Sequence, residues 1–470
     1  MADSLQSALE RARAVFGKAR CLSASDRMAR LEKLIDLLVD HQDEFVDAIA
    51  KDFGQRHRYQ TLMGDIFNTI AHCKYAKKHV RRWMRAERRA TMMPMGLLGA
   101  RTEIRYQPKG VVGIMAPWNF PVAMVFNPLA YAFAAGNVAL VKPSELTPET
   151  SALMHRLFSQ YFPGGEVQVV EGGADVAAAF ASLPFDHLFF TGSGHIGKRV
   201  MAAAAQHLTP VTLELGGKSP VYIAQDADLL DAAEKIIAGK GQNSGQVCVS
   251  PDYIFVHETQ LDSLVANLRV AFQTLYPDAA PLNDLTSLID QRSYDRVRSL
   301  LENASEAGAA VHSLSAREPD SGSRVMPIHL VINPQAGADI TNQEIFGPVI
   351  MLKTYQNPAE VIDYINTHDK PLALYAFGKN LAALNAFVDQ TSSGGVTIND
   401  VMVHLANVDA PFGGVGGSGM GNYHGREGFL TFSHARTVYR QGALNLSKIS
   451  GMLPPFGEKM GKTLASMIKK

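Results

Sequence analysis

Residues 187–205 read HLFFTGSGHIGKRVMAAAA. An apolar run of strand type ends at Gly192, a turn follows through Ser193, Gly194, His195, Ile196 and Gly197, and an alanine-rich helical stretch begins. The glycines at 192, 194 and 197 match GxGxxG in a strand–turn–helix setting, where backbone N–H groups and a helix N-terminus can face a pyrophosphate. The same letters also suit a tight glycine turn with no ligand. The fingerprint further asks for an acidic residue about twenty positions on, to meet a ribose hydroxyl, and Glu214 stands there. Glu214 also reads as a strand-end carboxylate ahead of Gly216-Gly217. From that place it could act as a general base or be an ordinary strand-end charge.

The pattern repeats outward from this stretch. GVVGIMAP (110–117), NVALVKPS (137–144), VQVVEG (167–172) and VTLELGG (211–217) are short apolar runs closed by Gly, Pro or a polar turn. Helical stretches at 151–161 and 195–207 lie between them. A second series has strands at DYIFVH, HLVIN, VIMLKTY, ALYAFG and GGVTIN, between about 219 and 417. Such alternation predicts α/β architecture, a mostly parallel sheet with helices on both faces. Before residue 90 the periodicity is helical, as at Met28, Leu31, Leu34, Leu37 and Leu38. The basic run Lys77–Arg89 reads as the solvated face of a helix. RTEIRYQPKG (101–110) alternates like an exposed strand or hairpin.

Composition narrows the function. The 470 residues carry 45 basic and 45 acidic side chains, a formal net charge of zero, with 46% hydrophobic residues. That balance argues against nucleic acid or an anionic surface as the main partner, since both need a clustered basic excess. Three scattered cysteines, Cys21, Cys73 and Cys248, fit a reducing compartment with neither disulfides nor a metal site. Residues 1–20 mix both charge signs without an apolar core, unlike a secretory signal, so a cytoplasmic protein is expected. The uncharged stretch Val111–Val141 contains Pro117, Asn119, Pro121, Asn127, Pro128, Gly136 and Asn137. These break helices or leave amides to satisfy, so it reads as buried strand–loop–helix–strand and not as a membrane span. Cys248 lies in GQNSGQVCVSP among small polar residues, which suits a reactive thiol as well as an inert one. Cys21 and Cys73 fall in helical stretches and read as packing residues.

Together APWNFP, VKPSELTP, FFTGSGHIG, LELGGKSP, GQVC, NQEIFGPV and PFGGVGGSGMG stand in the order found in the aldehyde dehydrogenase superfamily, which the chain resembles over nearly its whole length. The compact length, HLTPVTLELGGKSP and GMGNYHGREGFLTFSHAR are similar to the short, class 3-type branch that includes bacterial coniferyl aldehyde dehydrogenases. The resemblance implies a Rossmann-like cofactor domain (1–89 and 110–216) and an α/β catalytic domain (217–417). It adds a bridging, oligomer-forming unit (90–109 and 418–440) and a C-terminal tail (441–470).

It also implies the site. Cys248 is the nucleophile, Asn119 an oxyanion donor together with the Cys248 N–H, and Glu214 the base for thioester hydrolysis. Trp118, Lys142, Glu145, Gly192, Ser193, Gly197, Glu344 and Phe346 bind the cofactor, NAD with NADP as a second choice. Lys142 and Glu145 meet the adenosine ribose, Ser193 and its turn the pyrophosphate, Glu344 and Phe346 the nicotinamide riboside. The partners implied are a hydrophobic aldehyde and a second copy of the chain, with no metal. Membrane contact by the tail Leu453–Lys470 is not expected, because its apolar face is short and there is no lipidation cysteine. Two departures stand out: Gly194 where threonine is common, and Val247 where threonine or arginine is frequent. Chemically, a thiolate adds to a carbonyl and the adduct expels hydride to a nicotinamide. A thiol esterase that uses Cys248 without a redox step is the rival reading.

Overall fold

Short apolar runs shielded on both faces form the strands of parallel sheets, and Val111–Met115 and Val138–Lys142 are buried at every residue. The computed structural model describes residues 2–93, 95–278 and 282–468. Its first sheet has six strands in the order Gly419–Met420, Val211–Leu215, His187–Gly192, Val111–Met115, Val138–Lys142 and Val167–Val169. All pairs are parallel except the first. The chain runs outward from Val111–Met115 to Val167–Val169, then returns to the other side for His187–Gly192. The order therefore reverses between Val111–Met115 and His187–Gly192, and ligands of open α/β sheets bind at the carboxyl ends of strands at such a point.

The helix Ala123–Ala135 lies in the expected strand–loop–helix–strand segment and is buried at all but one position. Asn127 and Pro128, read from sequence as breaks, sit inside it, because tertiary burial on every side outweighs one lost backbone hydrogen bond. Among the described residues no helix is long and apolar enough to cross a membrane. Leu31, Leu34, Leu37 and Leu38 of the helix Ala24–Asp40 are fully buried. Arg27 and Arg30 from the same helix donate to the carbonyls of Ala134 and Asn137, 3.0 Å each.

A seven-stranded sheet follows in the order Ala310–Ser313, His329–Ile332, Val349–Tyr355, Pro251–His257, Ser219–Ile223, Ala373–Phe377 and Gly395–Ile398. Only its first pair is antiparallel. The chain leaves the first sheet at Leu215 and enters the second at Ser219, so Gly216-Gly217-Lys218 is the seam.

The third sheet joins Glu87–Arg89, Arg101–Pro108 and Ser433–Arg440 in antiparallel order. It opens at Glu87, three residues before the boundary expected at 90, because Glu87-Arg88-Arg89 pairs with Glu103 and its neighbours. Gly419–Met420, expected in the bridging unit, pairs instead with Leu213 and Glu214. Cys73 is buried, whereas Cys21 lies beyond the helix Ala2–Lys18 in an exposed turn, so it is not a packing residue.

Candidate active site

At the strand ends of the reversal point lies a cavity of about 800 Å³. Met115, Lys142, Gly192 and Leu215, the last residues of four parallel strands, all line it. Trp118, Asn119, Glu145, Ser193, Glu214, Cys248, Glu344 and Phe346 do so as well. Gly197 is the exception among the residues expected there. A side-chain carbon on it would come within 2.7 Å of Leu215, so Gly197 lets the helix Gly194–Ala205 pack on the strand. The Ser193 hydroxyl caps that helix by accepting from the Ile196 N–H at 3.4 Å. Gly194 has room for a side chain, its nearest neighbour being the Gly417 carbonyl at 3.9 Å.

Lys142 is buried and donates to the Pro143 carbonyl (2.8 Å) and Glu145 (3.2 Å). Three strand steps separate Lys142 from Glu214 in the sheet order, roughly 14 Å at the usual interstrand spacing. The two ends therefore serve different parts of any extended ligand, and Glu214 is remote from the Lys142–Glu145 pair.

A second cavity of about 520 Å³ adjoins it. Its lining is mainly apolar, with Phe67, Phe120, Val247, Val401, Leu405 and Phe412 prominent. Asn119, Met124, Thr191, Glu214, Leu215 and Cys248 border both cavities. The three residues expected to do chemistry are thus brought to one seam.

Cys248 is partly exposed there. Burial, then the nearby Glu344 and Glu214, push its thiol up to about 12, while its own N–H and that of Val249 act the other way. Glu214 pairs with Thr191 and Gly419 in the sheet. It is buried, neither carboxyl oxygen has a hydrogen-bond partner among the described residues, and burial pushes its proton affinity well above the usual carboxylate range. Asn119 Nδ2 donates to the Gln246 carbonyl at 3.0 Å. An amide nitrogen has two N–H bonds, and no protein acceptor takes the second among the described residues.

Most of the supports of these groups carry no signal in the sequence. Asn243, Ser244 and Gly245, just before the nucleophile, have φ of 49°, 50° and 73°. Such left-handed residues cost about 1–3 kcal/mol each when not glycine, so the loop must be held from outside. The Gln246 side chain donates to the carbonyls of Asn243 (3.0 Å) and Ser287 (3.1 Å) and accepts from Ile289 N–H (3.0 Å). Asn243 Nδ2 donates to the Asn119 carbonyl at 3.0 Å, tying the thiol loop to the amide loop. Arg56 donates to the same carbonyl at 3.0 Å and pairs at 2.9 Å with Asp65, both side chains fully buried. Asp65 in turn accepts from Val122 and Ala123 N–H, 3.0 Å each, at the start of the helix Ala123–Ala135.

Burial raises the Glu344 carboxyl to about 7, and a side chain on Gly216 would collide with it. Phe346, at φ 45°, meets Trp118 edge to face at 5.5 Å. Arg296 holds this loop by donating to the carbonyls of Glu344 (3.3 Å) and Ile345 (2.6 Å), and Asp252 accepts from Ile345 N–H (2.9 Å). The polar run NSGQ before Cys248 was a usable signal for Asn243 and Gln246. Arg296, Asp252, Arg56 and Asp65 carried none.

Known proteins share this sequence pattern and this fold. The profile described as "Aldehyde dehydrogenase family" matches residues 1–438. A probable coniferyl aldehyde dehydrogenase of Caulobacter vibrioides is 43% identical, over 95% of this chain and 93% of its own. The dimeric NADP-preferring aldehyde dehydrogenase of Rattus norvegicus is 36% identical, over 97% of this chain and 99% of its own. The solved substrate-bound state of Staphylococcus aureus AldH superposes with a TM-score of 0.91 at 35% identity, covering 99% of both chains. A family-wide match, relatives well above 30% identity and a shared fold lead to one conclusion: this chain belongs to the aldehyde dehydrogenase family and is an aldehyde-oxidising, NAD(P)-dependent enzyme.

Proposed function

We propose that the enzyme oxidises a hydrophobic aldehyde, aromatic or medium-chain, to the free acid through a thioester on Cys248. The carrying observation is that Cys248, Asn119 and Glu214 border both the strand-end cavity and the apolar cavity. An aldehyde in one and a dinucleotide in the other meet at a single sulfur.

The thiol passes its proton to solvent as Sγ adds to the carbonyl carbon, forming the C–S bond while the C=O π bond opens to an oxyanion. The new oxyanion accepts from the free Asn119 N–H and from Cys248 N–H, one such donor being worth about 3 kcal/mol. When bound, the nicotinamide supplies a hydride acceptor, and what remains on Cys248 is a thioester. Glu214, whose burial makes its ionised form a stronger base, takes in that form a proton from the attacking water and returns it to the departing Cys248 sulfur, so that the acid leaves and the thiol is restored.

Lys142 and Glu145 suit the adenosine ribose, the Gly192-Ser193 turn the pyrophosphate, and Trp118, Glu344 and Phe346 the nicotinamide end. A free 2′-hydroxyl can donate to the Glu145 carboxylate, whereas a 2′-phosphate is repelled by it, so NAD is the preferred cofactor. NADP is the second choice for this chain, in contrast to the rat relative, whose name states an NADP preference.

Three functional units follow the sheets: a cofactor unit on the six strands, a catalytic unit on the seven, and a bridging unit on the three. The outer strand Ser433–Arg440 is largely exposed and offers an edge for a partner's sheet in a homodimer. The free cysteines fit a cytoplasmic location.

The test is NADH formation with cinnamaldehyde. Wild type should form NADH and acid one to one, and Cys248→Ala should abolish turnover while binding NAD normally by calorimetry. Appreciable turnover in Cys248→Ala, or a wild type that hydrolyses esters but forms no NADH from aldehydes, would overturn the reading in favour of another nucleophile or a simple thiol esterase.

A further inference from the structure

The apolar cavity contains a buried polar side chain that the proposed mechanism leaves unused. Asn127 lies on the helix Ala123–Ala135, one turn beyond Met124, lines the cavity and is 1% exposed. Its Oδ1 is buried without a partner, and among the described residues no hydrogen bond engages either end of its carboxamide. Its helix neighbours Val125, Phe126, Pro128 and Leu129 are all buried and apolar, so packing alone would favour a hydrocarbon here. An unpaired buried amide is costly, and its retention beside a cavity points to a group that arrives with the ligand.

Two further carboxamides border the same space from other elements: Asn68 at the start of the helix Asn68–Trp83, and Gln242 after the helix Leu229–Gly241. Neither side chain has a hydrogen-bond partner among the described residues. All three are neutral, and apart from Glu214 the charged residues at the same cavity are engaged elsewhere, Lys235 with Asp231 and the Asn399 carbonyl and Asp400 with the Val401 N–H. The unpaired carboxamides therefore suit a hydroxyl and not a carboxylate or an ammonium. A hydroxyl also both donates and accepts, so it can satisfy a carboxamide presented either way round.

We propose that Asn127 is a specificity-determining residue that hydrogen-bonds a hydroxyl of the substrate, so that the preferred aldehydes are hydrophobic molecules carrying a neutral hydroxyl away from the carbonyl. The inference rests on the proposed function and deepens it.

The experiment compares kcat/KM for cinnamaldehyde and para-hydroxycinnamaldehyde in wild type, Asn127→Leu and Asn127→Ser. Leucine is close in size and cannot hydrogen-bond; serine is smaller and still can. Wild type should favour the hydroxylated aldehyde by at least about tenfold. Asn127→Leu should bring the ratio near one, and Asn127→Ser should keep part of the preference. If the leucine variant does not fold, the wild-type ratio and the serine variant decide. A wild-type ratio near one, or an unchanged ratio in the folded variants, would overturn the proposal. So would an equal slowing of both aldehydes with a burst of NADH, which would assign Asn127 to the water near Glu214. A wild type that oxidises neither of these nor a medium-chain aldehyde refutes the proposed function itself; one that oxidises only the medium-chain aldehyde, or both cinnamaldehydes equally, refutes only this inference.

Discussion

The two cavities that meet at Cys248 are built in opposite ways. The larger is framed by strand ends, Met115, Lys142, Gly192 and Leu215, which sheet topology must bring together. The smaller shares Thr191, Glu214 and Leu215 with those strands but is otherwise framed mainly by side chains of helices and loops from Met63 to Tyr423, which no single motif unites. The first fixes a geometry that backbone dictates, and the second can change its lining without disturbing a sheet. Chemistry common to a family belongs in the first kind of wall and selectivity in the second.

A change at the seam should damage what both sides share. Asn119→Ala should lower the rate of acylation by roughly a hundredfold or more, with NAD affinity and the ranking of aldehydes unchanged. Stopped-flow NADH formation measures it, and a normal rate would remove Asn119 from the mechanism.

On the strand-end side, Gly197→Ala should cost about 1–3 kcal/mol of stability, because the added carbon meets Leu215 at 2.7 Å and the helix must shift. It should raise KM for NAD more than KM for aldehyde. Denaturant unfolding with both titrations checks it, and equal effects on the two constants would blur the division of labour.

The seam carboxylate also couples stability to pH. Burial raises the Glu214 proton affinity above the ordinary value of 4.5, so between pH 4.5 and the raised folded value the native state binds more protons than the unfolded one. Stability therefore falls as pH climbs through that window. Glu214→Gln removes the effect, so its melting temperature should exceed that of wild type by about 1–3 °C at neutral pH, with no gap at pH 4.5. A gap that is absent, or that widens toward acid, would mean the carboxyl is charged and solvated in the native state.

Gly194→Ala should be the mildest change. The space around it is open and its φ is ordinary, so stability should move by no more than about 0.5 kcal/mol. A large loss of NAD binding would mean that this glycine lets a pyrophosphate approach closely, as in the ordinary fingerprint.

The same contrast explains what could be read from the sequence. Strand ends announce themselves locally: the runs ending at Met115, Lys142, Gly192 and Leu215 were all expected, and ten of the residues assigned to the site from sequence line the cavity or its seam. Ser219–Ile223 escaped as a strand because Pro220 and the glycine turn before it mask a five-residue run. Gly419–Met420 is too short to show any period. Asp65 and Arg56 are nine positions apart and look like surface charges until the helix Ala123–Ala135 covers them. Asn127 reads as a flaw in an apolar run, and only the cavity beside it gives the amide a use. The expected 192–194–197 spacing held as letters, yet Gly197 serves packing, since a motif does not state which neighbour a missing side chain makes room for.

The central claim is that Glu214 serves a thioester on Cys248 and not a ribose. The direct measurement is single-turnover NADH formation by Glu214→Gln, followed by intact-mass analysis of the quenched protein. Glutamine is nearly isosteric but cannot take a proton from water, so hydride transfer should survive while hydrolysis slows. The expected result is a burst approaching one NADH per active site, a much slower steady rate, and an added acyl mass that maps to Cys248. Weakened NAD binding with no burst and no adduct would contradict the account and return Glu214 to the ribose.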